Sequence, residues 1–349
     1  VFGRSKPVDG SIFGLAGTAP GRAVRDARLL ARAQGCLLGQ LIGDALGSLV
    51  EFQGPDSIKS HYPQGVRELQ DGGTFGTLAG QPTDDSEMAL MLARCLVRDG
   101  GYEAGAVLEA YVHWLKSGPF DVGNTTRTAL GAAARGGSRE ERLERAARAA
   151  SRPSEANGSL MRISPLAIFG RARPGEVAGW ARQDSAQTHP NPVCGESCAA
   201  YVRAIVAALD GADAAECHRA ALEEARAGGE RSVIAALENA AARPPDGMDG
   251  GRAGWVLVAL QNAFYMLLHA GSFEEALVDT VGCGGDTDTN AAICGALLGA
   301  VHGRDGIPSR WRRAVLACRP IPEAGARRPR PMDFWPVDAL ELAESLLLC

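Results

Sequence analysis

Alternating apolar and polar runs are almost absent from this chain, which removes the sheet-based fold classes at the outset. No long run of lysine and arginine occurs, and the formal net charge is -5. A nucleic-acid partner, whose phosphates need clustered cations, is therefore not expected. The nine cysteines are odd in number, widely spread and without a CxxC pair. Cys194 and Cys198 stand closest, one helical turn apart, and read as core residues rather than a metal or redox pair. A reducing, cytoplasmic setting is the simplest expectation. No apolar run reaches the ~18 residues of a membrane span and no signal-peptide pattern is visible, so no membrane association is expected. The chain opens on Val1, and its natural start is expected upstream.

Against these absences stand 349 residues, 46% hydrophobic and 22% charged, enough for a sizeable core and too apolar for global disorder. Residues 1–26 lack helical periodicity, are rich in glycine and proline, and read as an extended arm ahead of one all-α domain, 27–349. Leu29, Ala33, Leu37, Leu41 and Ala45 then step by four beside a row of Gly35, Gly39, Gly43 and Gly47. Gly295, Gly299 and Gly303 repeat the row beside Ala292, Ala296 and Ala300. Glycine costs ~1 kcal/mol in a helix interior relative to alanine, so such rows predict two smooth helices pressed together at the centre of the fold. Helical periodicity recurs at 84–98, 103–116, 139–150, 195–209, 213–227, 230–241, 254–269, 273–281 and 337–347. Proline and glycine gather in the connections, and the short basic stretch "RRPRP" near the C-terminus reads as a solvated loop.

Two stretches concentrate side-chain oxygen. "QPTDDSEMALMLA" places Thr83, Asp84 and Asp85 at the start of an apolar helix, and "GCGGDTDTNAAICGALLGA" places Asp286, Asp288 and Thr289 at the start of a small-residue helix. Each alone reads as an N-cap, where a carboxylate gains ~0.3–1 kcal/mol from the helix dipole. Together they gather four carboxylates, which is costly unless a cation neutralises them. The donor set is all oxygen, which selects magnesium or manganese over zinc. An EF-hand is not expected, because the twelve-residue spacing and the closing glutamate are missing. Two such clusters suit two cations about 3.5–4 Å apart with one bridging aspartate. "GDALGSLVEF" adds Asp44, which reads equally as a partner for backbone amides, and Glu51. A carboxylate at the end of an apolar stretch needs a metal, a proton or solvent.

These motifs, in this order, resemble the ADP-ribosylglycohydrolase family. The likeness spans residues 33–347 through "GCLLGQLIGDALGSLVE", "PTDDSEMAL", "SGPFDVGNTTRTAL", "NGSLMRISPLA", "THPNP", "GCGGDTDTNAAICGALLGA" and "WPVDALELAE". The resemblance implies an orthogonal all-α bundle with two Mg2+ or Mn2+ ions in a cleft. By that likeness Thr83, Asp84 and Asp85 hold metal from one side, and Asp286, Asp288 and Thr289 from the other. Glu51 matches the family's mobile catalytic glutamate. Asp121 matches an acid near the substrate, and reads equally as a turn residue before Gly123. Asn157, Gly158 and Ser159 would meet the diphosphate, with His189 facing the substrate. Ser86 stands where members often carry threonine.

The implied activity is hydrolysis of the bond between ADP-ribose C1″ and a protein side chain, arginine first. Relatives begin near the glycine-row helix, whereas residues 1–25 precede it here, with Phe2, Ile12, Phe13 and Leu15 among glycines and prolines. The arm reads either as packing on the bundle or as an element that inserts into a partner, an ADP-ribosyltransferase toxin. The second reading makes the protein an immunity factor. The alternative from another class is a module that binds ADP-ribose or a transferase and blocks it through the arm, with hydrolysis secondary.

Overall fold

The structure, a computed structural model, describes residues 12–17 and 22–349. Sixteen α-helices succeed one another among these residues: α1 (Ala27–Gly47), α2 (Pro55–His61), α3 (Asp84–Asp99), α4 (Ala104–Lys116), α5 (Asn124–Ala133), α6 (Arg139–Ala149), α7 (Ser164–Gly170), α8 (Val177–Ala186), α9 (Pro192–Leu209), α10 (Ala214–Gly228), α11 (Arg231–Ala240), α12 (Val256–His269), α13 (Phe273–Gly282), α14 (Thr287–His302), α15 (Ser309–Ala317) and α16 (Ala339–Leu348). No strand forms among the described residues, and only two isolated bridges occur, Gly72 with Thr77 and Ala156 with Trp255. The helices cross as an orthogonal all-α bundle. The segments with clear periodicity are all helical, and several open on sequence-readable caps. Asp26 accepts from Arg28 and Leu29 ahead of α1, and capping boxes pair Ser138 with Glu141 and Asp213 with Glu216. The helices that periodicity does not reveal are α2, α5, α7, α8 and α15, of 7 to 10 residues each. Two or three turns are too few to show a 3.6-residue period.

The glycine rows set the centre of the bundle. Gly35 lies against Gly299, Gly39 against Gly295, Gly43 against Ala291 and Gly47 against Thr287, so α1 and α14 run antiparallel. A Cβ built on Gly39 would run into the Gly295 carbonyl, and one on Gly295 would strike the Gly39 carbonyl. Only bare backbone fits at this distance. Gly303, grouped with the row by sequence, ends α14 at φ 68 instead. The antiparallel pairing carries the C-terminal end of α1, with Asp44 and Glu51, to the N-terminal end of α14, with Asp286 and Asp288. Around this pair, α9, α12 and α13 cover α14, while α7, α15 and α16 cover α1.

Two sequence expectations need correction, and of the two readings of the arm, packing on the bundle holds for residues 12–17. Helix α9 is 18 residues long with a mean hydropathy of 1.3, enough to cross a membrane by length and composition alone. Within the described fold it is a core helix against α7, α8, α10 and α14, with 72% of its length buried. The run escapes a search for uninterrupted apolar sequence because Glu196 and Arg203 break it. The "RRPRP" stretch is not wholly solvated: Arg330 is buried and forks onto Glu87 through two contacts of 2.7 Å. Part of the arm is seated on the bundle. The backbone amides of Ile12, Phe13 and Gly14 donate to the buried Asp333 carboxylate, and that of Ala16 donates to Asp338, which Arg94 also holds. Phe2 and residues 1–11 lie outside the described residues.

Candidate metal centre

Thr83 occupies the N-cap position of α3 without capping it; its own side chain makes no hydrogen bond to that end. Asp44 of α1 supplies what is missing, accepting from the backbone amides of Thr83 (3.1 Å) and Ser86 (3.0 Å). The Thr83 hydroxyl is thereby released to the acids, 2.8 Å from Asp44 Oδ1 and 3.1 Å from Asp85 Oδ2. The facing motif is pinned by backbone. Phe52 N donates to Gly285 O (2.8 Å) and Gly285 N to Gln53 O (2.9 Å), locking the Glu51 turn onto the turn before α14. Gly284 and Gly285 adopt φ 77 and 76, and a Cβ on Gly285 would collide with the Met248 carbonyl. Phe52 takes φ 66, the one positive value at a non-glycine residue among those described. Thr287 Oγ1 donates to Gly47 O (2.7 Å), tying the end of α1 to the start of α14.

This scaffold gathers two three-carboxylate groups. Oxygens of Asp44, Asp85 and Asp288 lie within 4.8 Å of one another, and so do those of Glu51, Asp121 and Asp288. Asp288 belongs to both. Asp286 stands beside them, accepting from Asn157 Nδ2 at 2.7 Å. Asp85 Oδ1 and Glu51 Oε2 are buried without any hydrogen-bond partner. A native fold rarely leaves such atoms unpaired, and a hard cation is the partner that an all-oxygen set fits. These residues could hold a metal ion.

The electrostatics point the same way. Burial pushes Asp84, Asp85 and Asp288 well above the usual carboxylate range, and crowding by neighbouring acids adds to it. For Glu51, burial and then the charges of Asp121 and Asp286 drive the carboxyl up to about 9. Asp44 rises to about 6, because burial outweighs its hydrogen bonds from Ser86 and Thr83. Asp121 and Asp286 are raised by burial as well. These acids hold protons more tightly folded than unfolded. The cluster's contribution to stability in metal-free protein is therefore greatest below the unfolded carboxylate range, about pH 4, and is lost as pH rises through the folded values toward 9. In chelator, the melting temperature should fall between pH 5 and pH 8 by more in the native protein than in Asp288→Asn. An equal fall in both would show that the cluster is not its source.

Above the acids opens a cleft of about 490 Å³. Glu51, Asp84, Asp121, Asn157, Gly158, His189, Asp286, Asp288 and Thr289 line it. Thr83 and Asp85 lie beneath the wall, and Ser159 is buried with its hydroxyl 2.8 Å from that of Ser185. His189 is buried, with Nδ1 2.8 Å from Thr188 Oγ1. Burial, and then the nearby Arg162 charge, push its imidazole down to about 3, so it is neutral at physiological pH. Gly158 is packed so closely on this ring that a Cβ would sit 2.9 Å from His189 Cε1. Sequence reasoning missed Asp249 and Gly250, which also line the cleft from the loop before α12. That loop carries no periodicity, and only its position beside Gly285 reveals it.

Comparison with known proteins agrees with this architecture. The family model for ADP-ribosylglycohydrolase matches residues 25–337. The chain is 31% identical over 282 residues to the ADP-ribosyl-dinitrogen reductase glycohydrolase of Rhodospirillum rubrum, covering 80% of this chain and 88% of that protein. It is 33% identical over 297 residues to the ADP-ribosylarginine hydrolase Tri1 of Pseudomonas putida strain GB-1, covering 82% and 74%. A solved structure described as an ADP-ribosylglycohydrolase-related protein complex superposes with a TM-score of 0.72 at 26% identity, covering 90% of this chain and 98% of that one. With a family model matched over most of its length and a relative at 31% identity, the chain belongs to the ADP-ribosylglycohydrolase family.

Proposed function

We propose that the protein is a metal-dependent hydrolase that removes ADP-ribose from modified protein side chains, arginine first, using two Mg2+ or Mn2+ ions. The observation that carries this reading is the pair of carboxylate groups that share Asp288 on the floor of the cleft. Asp84, Asp85, Asp286 and Asp288, with Thr83 and Thr289, would hold the ions. When bound, these ions would supply positive charge for ribose hydroxyls and lower the pKa of water in the cleft. Glu51 Oε2, without a protein partner, lies at the cleft wall, and with cations neutralising the acids around it the carboxylate would be free to take a proton there. Asp121, in the same carboxylate group, is the second candidate for that role. Gly158 lines the cleft where its backbone would meet a diphosphate, and Asn157 holds Asp286 in place. The arginine preference draws support from the relative named as an ADP-ribosylarginine hydrolase.

Glu51→Gln should lower turnover by about 10²-fold and leave ADP-ribose affinity within about threefold, because the group acts on the reacting centre and does not anchor the ligand. Calorimetry that finds binding lost with turnover per bound substrate unchanged would remove Glu51 from this role. The substrate class is tested by ADP-ribose release from arginine- and serine-modified proteins in magnesium. Faster release from arginine supports the reading, and release from serine alone overturns it. Such a hydrolase would serve as an immunity protein by reversing the work of an ADP-ribosyltransferase toxin, with residues 1–25 as the contact for the toxin. Because residues 12–17 are seated on Asp333 and Asp338, deletion of residues 1–11 is the cleaner test. It should weaken transferase binding and spare hydrolysis; unchanged binding would sink the arm's role.

A further inference from the structure

Two motifs, "NGSLMR" and "THPNP", meet in a buried hydrogen-bond chain that metal binding does not use. Arg162 is fully buried. Its Nε donates to Asp184 Oδ1 (3.0 Å), its Nη2 to Asp184 O (3.0 Å) and its Nη1 to Thr188 Oγ1 (2.9 Å). The Tyr111 ring lies 4.4 Å beneath the guanidinium, and Tyr111 Oη donates to the other Asp184 oxygen at 2.9 Å. The guanidinium is thus fixed from three sides and can only donate. Thr188 Oγ1 also lies 2.8 Å from His189 Nδ1, and these are its two hydrogen-bond partners.

Proton bookkeeping then decides the imidazole. A hydroxyl has one hydrogen and two lone pairs. Since Arg162 donates to it, the Thr188 hydrogen is satisfied only if it points at His189 Nδ1. Were Nδ1 protonated, both neighbours would donate to Thr188, and its buried hydrogen would have no acceptor, which native interiors rarely accept. From this geometry we infer that Arg162 and Thr188 are positioning residues that lock His189 as the Nε2–H tautomer and aim a neutral N–H donor across Gly158 into the cleft. Nε2 lies on the Gly158 side of the ring, 3.1 Å from where a Cβ on that residue would sit, and the ring borders the cleft. A fixed neutral donor suits a phosphate oxygen of an ADP-ribose diphosphate, and that ligand assignment rests on the function proposed above.

The test separates the two claims. Long-range 1H–15N spectra of the full, ligand-free chain labelled at its six histidines, with His189 assigned by its loss in His189→Gln, should show Nε2 protonated and Nδ1 unprotonated. Thr188→Ser should keep that pattern. Thr188→Val, or Thr188→Ala where valine does not fold, should lose it and give exchange between tautomers. By calorimetry, ADP-ribose affinity should stay within about twofold in Thr188→Ser and fall by about fivefold or more in Thr188→Val and His189→Phe. Protonated Nδ1 in the native protein, or a Thr188→Val spectrum unchanged from native, overturns the relay. An Nε2–H tautomer in a native protein that does not bind ADP-ribose supports the relay and overturns the ligand assignment alone.

Discussion

Asp288→Asn should abolish ADP-ribose release, lowering kcat/KM by about 10³-fold or more, equivalent to ~4 kcal/mol of transition-state stabilisation. The size of the effect follows from position. Asp288 is the carboxylate common to both three-acid groups, so its loss leaves each with two. The substitution keeps shape and removes charge, and the far-UV helical spectrum should be unchanged. In chelator, the variant should melt at or above the native temperature, because burial and the charges of Glu51 and Asp85 make the native carboxylate costly to ionise. Loss of activity together with a gain in metal-free stability is a combination that a structural role does not produce. Full activity in Asp288→Asn would mean that the shared acid is not part of the chemistry.

The second large effect concerns the fold itself. Gly39→Ala should destabilise the protein by ~3 kcal/mol or more in denaturant unfolding, although alanine is the better helix former by ~1 kcal/mol. The added methyl meets the Gly295 carbonyl, and backbone cannot turn aside as a side chain tip can. Pushing α1 from α14 would also part Asp44 from Asp288, so activity should fall with stability. Gly131→Ala in α5, exposed and with nothing near its Cβ position, is the control and should be neutral or stabilising by ~0.5–1 kcal/mol. A neutral Gly39→Ala would contradict the close backbone packing on which the site geometry depends.

What could be read in advance was local or repetitive. Glycine every fourth residue announces a helix face with no side chains, so the central pair α1 and α14 was legible in both halves of the chain. The acid motifs stood out because carboxylates at the mouth of an apolar helix demand a reason. What escaped reading depends on where distant segments land. Thr83 has the chemistry of a cap, yet the Ser86 amide it would serve is taken by Asp44, nearly forty positions earlier in the chain, and nothing local to α3 says so. Arg330 reads as one of a solvated basic cluster until Glu87 folds beneath it. Asp249 and Gly250 sit in a loop without period and reach the cleft because their neighbours Met248 and Ala253 pack against the turn at Gly285. The buried relay from Arg162 to His189 was divided between two motifs, each too short to disclose the other.

If hydrolysis depends on cations held by the acids that meet at Asp288, a single manganese titration shows it. Metal-depleted protein, with an arginine-ADP-ribosylated substrate, is titrated with Mn2+ while bound manganese and released ADP-ribose are measured on the same samples. No release is expected in chelator, release should rise as two ions bind per chain, and Asp288→Asn should show neither binding nor release. Full release in chelator, or two ions bound with no release from the native protein, would contradict it.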